Sequence, residues 1–179
     1  NGVDGLRMVG EDEIRSIEPH SAGISGIFSP NTGIIDYQEV TQSYAEDFKC
    51  LGGEVVLDAT VMDISRSPGK LIIESTKGDF SAKHIVNCAG LYADKIAEMM
   101  GEKLDVRIIP FRGEYFLINP ESSTKVNGLI YPVPDPKMPF LGVHLTRRID
   151  GAVEAGPSAV MAFRREGYRK SDFHLKEFF

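Results

Sequence analysis

The sequence predicts an α+β fold whose strands are mainly antiparallel, with one stretch of α/β character. Three observations carry that expectation. A meander of short strands occupies residues 60–83, a strand–turn–helix unit follows over 84–101, and beyond it strands alternate with long loops rather than helices. A chain of 179 residues suits one domain or parts of two, and it can bury a sizeable core.

Taken in order, residues 10–19 read as a short helix. Glu11, Asp12 and Glu13 lie at its positive end, Ile14 and Ile17 give it an apolar edge, and Pro19 stops it. Residues 20–29 mix Gly, Ser and isolated apolar residues, as a loop or irregular strand does. Asp36-Tyr37-Gln38-Glu39 is the clearest helix start, since Asp36 can cap while Glu39 reaches back in a capping box. Tyr37, Val40, Tyr44, Phe48 and Leu51 then line one face, and Gly52-Gly53 ends the helix. Residues 54–57 follow as a strand. The meander comprises strands 60–66 and 70–76 joined by Ser67-Pro68-Gly69, and a turn at Lys77-Gly78-Asp79 leads into 80–83.

Residues 84–101 are the stretch around which the chain is organised. Ile85 and Val86 suit a buried strand, Cys88, Ala89 and Gly90 form a turn of small residues, and Ala93, Ile96, Ala97 and Met100 recur at helical spacing before Gly101. Such a turn presents unpaired N–H groups that suit an anion; a packed strand–helix corner without ligand is the equally weighted alternative. Further on, 106–110 and 114–118 read as strands around a turn at Phe111-Arg112-Gly113. A short strand at 129–131 enters the proline-dense loop 132–139, where helix and central strand are excluded. Strands 140–146 and 152–155 complete the pattern, and Gly156-Pro157-Ser158 breaks the second. No internal repeat and no low-complexity tract is present.

Composition narrows the class. With 42% hydrophobic and 26% charged residues the chain is of soluble globular type, and a formal net charge of −6 argues against general nucleic-acid binding. Two cysteines make no disulfide framework, no Cys/His spacing resembles a zinc site, and reducing surroundings are the default. No apolar run spans a bilayer and no signal peptide is visible. Cys50 reads as packing, and His20, His84 and His174 have no ligand spacing. The basic run 164–170 reads as solvated surface, with contact to anionic lipid as the alternative. Asn1 in place of Met, and an end at Phe178-Phe179 after a charged, helix-like run, suggest a fragment of a longer polypeptide.

Arg112, Tyr115, Tyr131, His144 and Thr146 sit on or beside strands that can join one antiparallel sheet. Arg112 can grip a carboxylate with two bonds, and His144 can act as a base near neutral pH. Against this stand the bland readings, in which Arg112 pairs with Glu114 or another acid and His144 is a satisfied core or rim histidine. Spacing alone favours them.

The order Gly33-Ile34-Ile35-Asp36, meander, Ile85-Val86-Asn87-Cys88-Ala89-Gly90, then Pro110-Phe111-Arg112-Gly113-Glu114-Tyr115 resembles the D-amino-acid-oxidase-like superfamily of FAD-dependent oxidoreductases. The segments Leu129-Ile130-Tyr131-Pro132-Val133-Pro134-Asp135-Pro136, Phe140-Leu141-Gly142-Val143-His144-Leu145-Thr146-Arg147 and Gly156-Pro157-Ser158-Ala159-Val160 are similar to its L-2-hydroxyglutarate oxidase/dehydrogenase branch. The resemblance implies a flavin-binding domain interleaved with a substrate domain on a large antiparallel sheet. Residues 36–101 would belong to the former, and 1–35 and 102–179 to the latter. It implies FAD as cofactor, lined by the backbone of Cys88, Ala89 and Gly90, with Val61 at the adenine end. It further implies oxidation of the dicarboxylate L-2-hydroxyglutarate to 2-oxoglutarate, with electrons passed to quinone or oxygen, in the cytoplasm or peripherally at the inner face of the cell membrane. His144 is the candidate base, with a histidine from the family's N-terminal part as the equal alternative. Arg112 would take a substrate carboxylate, Tyr115 and Tyr131 would offer hydroxyls, and Thr146 would support His144. Neither the family's Gly-x-Gly-x-x-Gly turn nor its C-terminal part is found, so the chain is expected neither to hold FAD tightly nor to turn over. The rival expectations are a superfamily member acting on an amino acid, a secondary amine or glycerol 3-phosphate, and a flavin-free binding domain.

Overall fold

In the computed structural model, which describes residues 2–137 and 142–178, eight strands and five helices follow one another. They are β1 (Arg7–Gly10), α1 (Glu11–Ile17), β2 (Ser25–Phe28), α2 (Tyr37–Cys50), β3 (Val61–Ser67), β4 (Lys70–Ser75) and β5 (Gly78–Ala82), then α3 (Ala93–Met99), β6 (Phe111–Leu117), α4 (Pro120–Ser123), β7 (His144–Arg147), β8 (Val153–Met161) and α5 (Leu175–Phe178). A single 3-10 turn, Gly90–Tyr92, precedes α3. The chain forms two compact units, Asn1–Ser43 with Gly113–Val160, and Tyr44–Arg112 with Met161–Phe179.

In the first unit β1 and β2 pair antiparallel, from Arg7 opposite Phe28 to Gly10 opposite Ser25. Ile14 of α1 lies over Gly26, which is the apolar edge read from the sequence. Glu18, at the end of α1, is buried, and its carboxylate accepts the amides of Asn127 at 2.9 Å and Gly128 at 2.6 Å. A buried charge stays only where it is hydrogen-bonded, and here two backbone donors meet that need. The three-stranded sheet has the order β6-β8-β7, with β7 antiparallel to β8 from His144 opposite Gly156 to Arg147 opposite Val153. Val153, the first residue of the middle strand β8, is wholly buried.

The second unit holds the meander β3-β4-β5, antiparallel throughout, with a bulge between Val61 and Asp63. α2 begins as read: Asp36 Oδ1 accepts the amide of Gln38 at 2.8 Å and that of Glu39 at 3.4 Å. Its apolar stripe is not covered, since Tyr37, Tyr44 and Leu51 are each at least 70% exposed. Cys50 on its last turn is exposed as well, so the packing role expected for it does not hold.

Several expectations are corrected. Residues 54–57, 84–87 and 106–110 join no ladder among the described residues, and Leu57 already lies in a turn. An apolar run acquires strand status only beside a neighbouring strand, and here none is in place. Phe111-Arg112-Gly113 is not a turn, because β6 runs straight through it. β8 likewise continues through Gly156-Pro157-Ser158. The β7 ladder ends at Gly156, so Pro157 needs no N–H on that side and the strand tolerates it. β1 and α4 were not legible at all. The predicted strand start at Phe140 and Leu141 lies outside the described residues, and β7 begins at His144.

Candidate functional site

Four of the five residues singled out in the second half lie in the first unit, and the sheet gathers them. The Tyr115 ring lies against Gly156, where a Cβ would stand 2.6 Å from Cδ1 and 2.9 Å from the Glu114 carbonyl. Only glycine permits that approach. Gly156 pairs directly with His144, and directly paired residues share a face, so Tyr115 and His144 stand on the same side of the sheet. Thr146, two residues along β7, shares that side. Tyr131 completes the group by stacking on His144, with ring centroids 4.4 Å apart and planes 26° apart. The neighbouring bridge Ile130–Leu145 brings it there.

This face is chemically usable. Tyr115 and Tyr131 are half exposed and reachable from solvent. The His144 Nδ1 lies 3.2 Å from the Gly142 carbonyl. A carbonyl only accepts, so the contact is satisfied with the proton on Nδ1, leaving Nε2 as the acceptor. The Thr146 hydroxyl is buried with no hydrogen-bond partner among the described residues, an orphan that a ligand oxygen can satisfy. Arg112 belongs to the second unit, where its Nη1 donates to the Gly167 carbonyl at 3.1 Å. Alternation along β6 places Arg112 and Glu114 on one side of the strand and Tyr115 on the other.

The residues expected to meet a cofactor lie in the second unit. Cys88, Ala89 and Gly90 are exposed, and Gly90 has φ +54 with nothing within 4 Å of where a Cβ would stand. The turn is thus open on that side, and a flat or anionic group can reach its backbone. Asn87 shapes it from within, donating to the Ala93 carbonyl at 2.7 Å and accepting the Ala89 amide at 3.2 Å. Val61, the first residue of β3, is half-buried beside the bulge.

One constellation escaped the sequence reading. Arg165 lies in the basic run for which the sequence predicts a solvated surface, yet it is buried and grips Asp94 with two bonds of 2.6 Å each. Its guanidinium also donates to the Leu91 carbonyl and sits 5.6 Å above the Tyr92 ring. The hydrogen bond from Arg165 holds the Asp94 carboxyl below its usual range against the opposing pull of burial. Asp94 carried a faint signal, because it lies one helical turn from Ala97, on the edge of the apolar stripe of α3. Of the rest of the run, Glu166, Tyr168, Arg169 and Lys170 are exposed, Arg164 is half-buried and Gly167 is buried. No group of three or more His, Cys, Asp or Glu among the described residues is placed to hold a metal. No helix of the described residues is long and apolar enough to cross a membrane.

A family model described as FAD dependent oxidoreductase (DAO) matches residues 1–177. The chain is 52% identical over 178 residues to the L-2-hydroxyglutarate dehydrogenase of Indibacter alkaliphilus, covering 99% of this chain and 45% of that protein. It is 46% identical to the enzyme of that name from Escherichia coli, covering 99% and 42%, and 46% identical to the human mitochondrial one, covering 97% and 40%. The chain therefore spans less than half the length of these curated relatives. Among solved structures it is similar to an L-proline dehydrogenase from P. horikoshii, with a TM-score of 0.74 at 19% identity over 98% of this chain and 46% of that one. A glycine oxidase from Geobacillus kaustophilus gives 0.64 at 18% identity over 87% and 40%. At such identities the likeness shows the fold alone.

Proposed function

The chain belongs to the FAD dependent oxidoreductase family, and we propose that the whole protein oxidises L-2-hydroxyglutarate to 2-oxoglutarate with FAD. The observation that carries this reading is the identity of 46–52% to L-2-hydroxyglutarate dehydrogenases along almost all of this chain. Residues 36–101 are assigned to the flavin-binding part, and 1–35 and 102–179 to the substrate part. The open turn Cys88-Ala89-Gly90 fits FAD through its backbone, and Val61 is assigned to the adenine end. FAD, when bound, supplies a two-electron acceptor for the hydride that leaves the alcohol carbon.

The residues of the sheet face then have distinct tasks. His144 takes the hydroxyl proton on Nε2, while the Gly142 carbonyl holds Nδ1–H and the Tyr131 ring fixes the imidazole plane. The Tyr115 and Tyr131 hydroxyls and the Thr146 hydroxyl bind substrate oxygens. Arg112 is assigned to a substrate carboxylate on the strength of its charge and planar fork. Electrons pass onward to quinone or oxygen, and the protein works in the cytoplasm or at the inner face of the cell membrane.

The test is anaerobic, on the full-length protein loaded with FAD. L-2-Hydroxyglutarate is expected to bleach the visible flavin band and the D form to leave it unchanged. A flavin that binds but stays oxidised with both would overturn the substrate assignment. In the same assay His144→Ala is expected to slow reduction by about 10²–10⁴-fold. Arg112→Ala should chiefly raise KM.

A further inference from the structure

We propose that Arg165 is a positioning residue for the Cys88–Gly90 turn, which it holds in the shape that receives the cofactor through its paired bonds to Asp94 and its bond to the Leu91 carbonyl. The proposal rests on the reading of that turn as a flavin site. Arg165 is anchored independently of the turn. Its amide donates to Glu177 Oε2 at 2.7 Å, and the side chain is only 5% exposed. From that fixed point Nη1 meets Asp94 Oδ1 and Nη2 meets Oδ2, each at 2.6 Å. A planar fork on a carboxylate fixes direction as well as distance. Asp94 sits in the first turn of α3, and Leu91 follows Gly90 directly. The guanidinium therefore fastens the chain on the C-terminal side of the turn at two points.

Asn87 fastens the other side. Its side chain spans from the Ala89 amide to the Ala93 carbonyl, so the Ala89 amide is engaged within the turn and Cys88, Ala89 and Gly90 lie between the two anchors. Gly90, at φ +54, has no side chain to hold it in place, so its orientation is set by these neighbours. A lysine at 165 would keep the charge but reach only one oxygen, and would free either Leu91 or Asp94. Preorganised backbone donors lose affinity for an anion when their direction is released, even where the fold survives.

The experiment uses the full-length protein and compares four forms: wild type, Arg165→Lys, Gly90→Val, and Glu18→Gln as a destabilised control far along the chain. FAD affinity, the visible circular dichroism of the bound flavin and the melting temperature of the apoprotein are measured for each. Arg165→Lys and Gly90→Val are expected to weaken FAD by about tenfold or more, equal to about 1.4 kcal/mol, and to change the flavin dichroism. Glu18→Gln should lower the melting temperature and leave both flavin readouts unchanged. If wild type binds FAD and Gly90→Val weakens it, but Arg165→Lys behaves as Glu18→Gln does, Arg165 is only structural and the proposal fails while the flavin reading stands. If wild type does not bind FAD, or Gly90→Val binds it normally, the turn is not a flavin site and both fall. Asp94→Glu, which keeps both charges but moves the carboxylate by one methylene, replaces Arg165→Lys if that variant does not fold.

Discussion

Asp94 is a carboxylate removed from water and held chiefly by Arg165, with the Lys95 and Ile108 amides as further donors, and the pH response of the protein follows from that. The Arg165 hydrogen bond lowers its folded pKa, burial opposes the shift, and the charge of Arg165 adds to the lowering. A group with a depressed folded pKa adds stability above its unfolded pKa of about 3.9 and loses it as the pH falls through the folded value. The melting temperature of the full-length protein is therefore expected to fall on acidification below about pH 4. Asp94→Asn, with nothing left to protonate, should be less stable at neutral pH and show a flatter acid limb in melts across that range. Thr146 makes the opposite case. Its buried hydroxyl has no partner among the described residues, so Thr146→Val should change stability by less than about 1 kcal/mol. The same variant should raise KM for the substrate, and an unchanged KM would remove Thr146 from the site. Arg165 itself was hidden in the sequence, because a run of Arg, Glu, Arg and Lys looks alike whether one member turns inward or none does.

Among the elements, the meander and the two main helices were legible because their signals are local. Asp36 caps, glycines end, and short turns join strands that need no distant partner. Asp36→Ala is expected to cost about 1 kcal/mol through the lost cap, read by chemical denaturation. The strands at 54–57 and 84–87 failed for the reverse reason, since apolar β-branched runs specify burial but not the ladder that makes a strand. β8 went unread past Pro157 because the tolerance comes from where β7 stops, a fact of register. That register also makes Gly156 the pivot of the candidate substrate face. Gly156→Ala should force the Tyr115 ring and the Glu114 carbonyl away, costing about 1–3 kcal/mol and disturbing the face; an unchanged denaturation midpoint would contradict the packing.

On the scale of the molecule, exposed apolar surface is the dominant fact. The accessible area is 14031 Å² for 19.7 kDa. Two independent globular proteins of half that mass would together expose roughly 10,000 Å². Ile24, Leu51, Val86 and Val133 are each more than 80% exposed. Exposed apolar side chains in such number are in accord with a chain that spans 40–45% of its relatives. The isolated chain is expected to bind the dye ANS strongly and to self-associate in light scattering, and the full-length protein to do neither. A monomeric isolated chain that leaves ANS dark would show that these side chains need no cover.

The family, the helix at Asp36, the meander and the small-residue turn before α3 are legible in the residues alone, because they rest on local chemistry and on residue order. The sequence also names the residues of the candidate substrate face. That Tyr115, Tyr131, His144 and Thr146 share one side of a sheet while Arg112 lies in the other unit, and that Asp94 and Arg165 meet, emerges only from the folded chain. Those facts depend on strand register and on which of several like charges is taken out of water. Both are set by contacts between residues far apart in the chain, where no local pattern reaches.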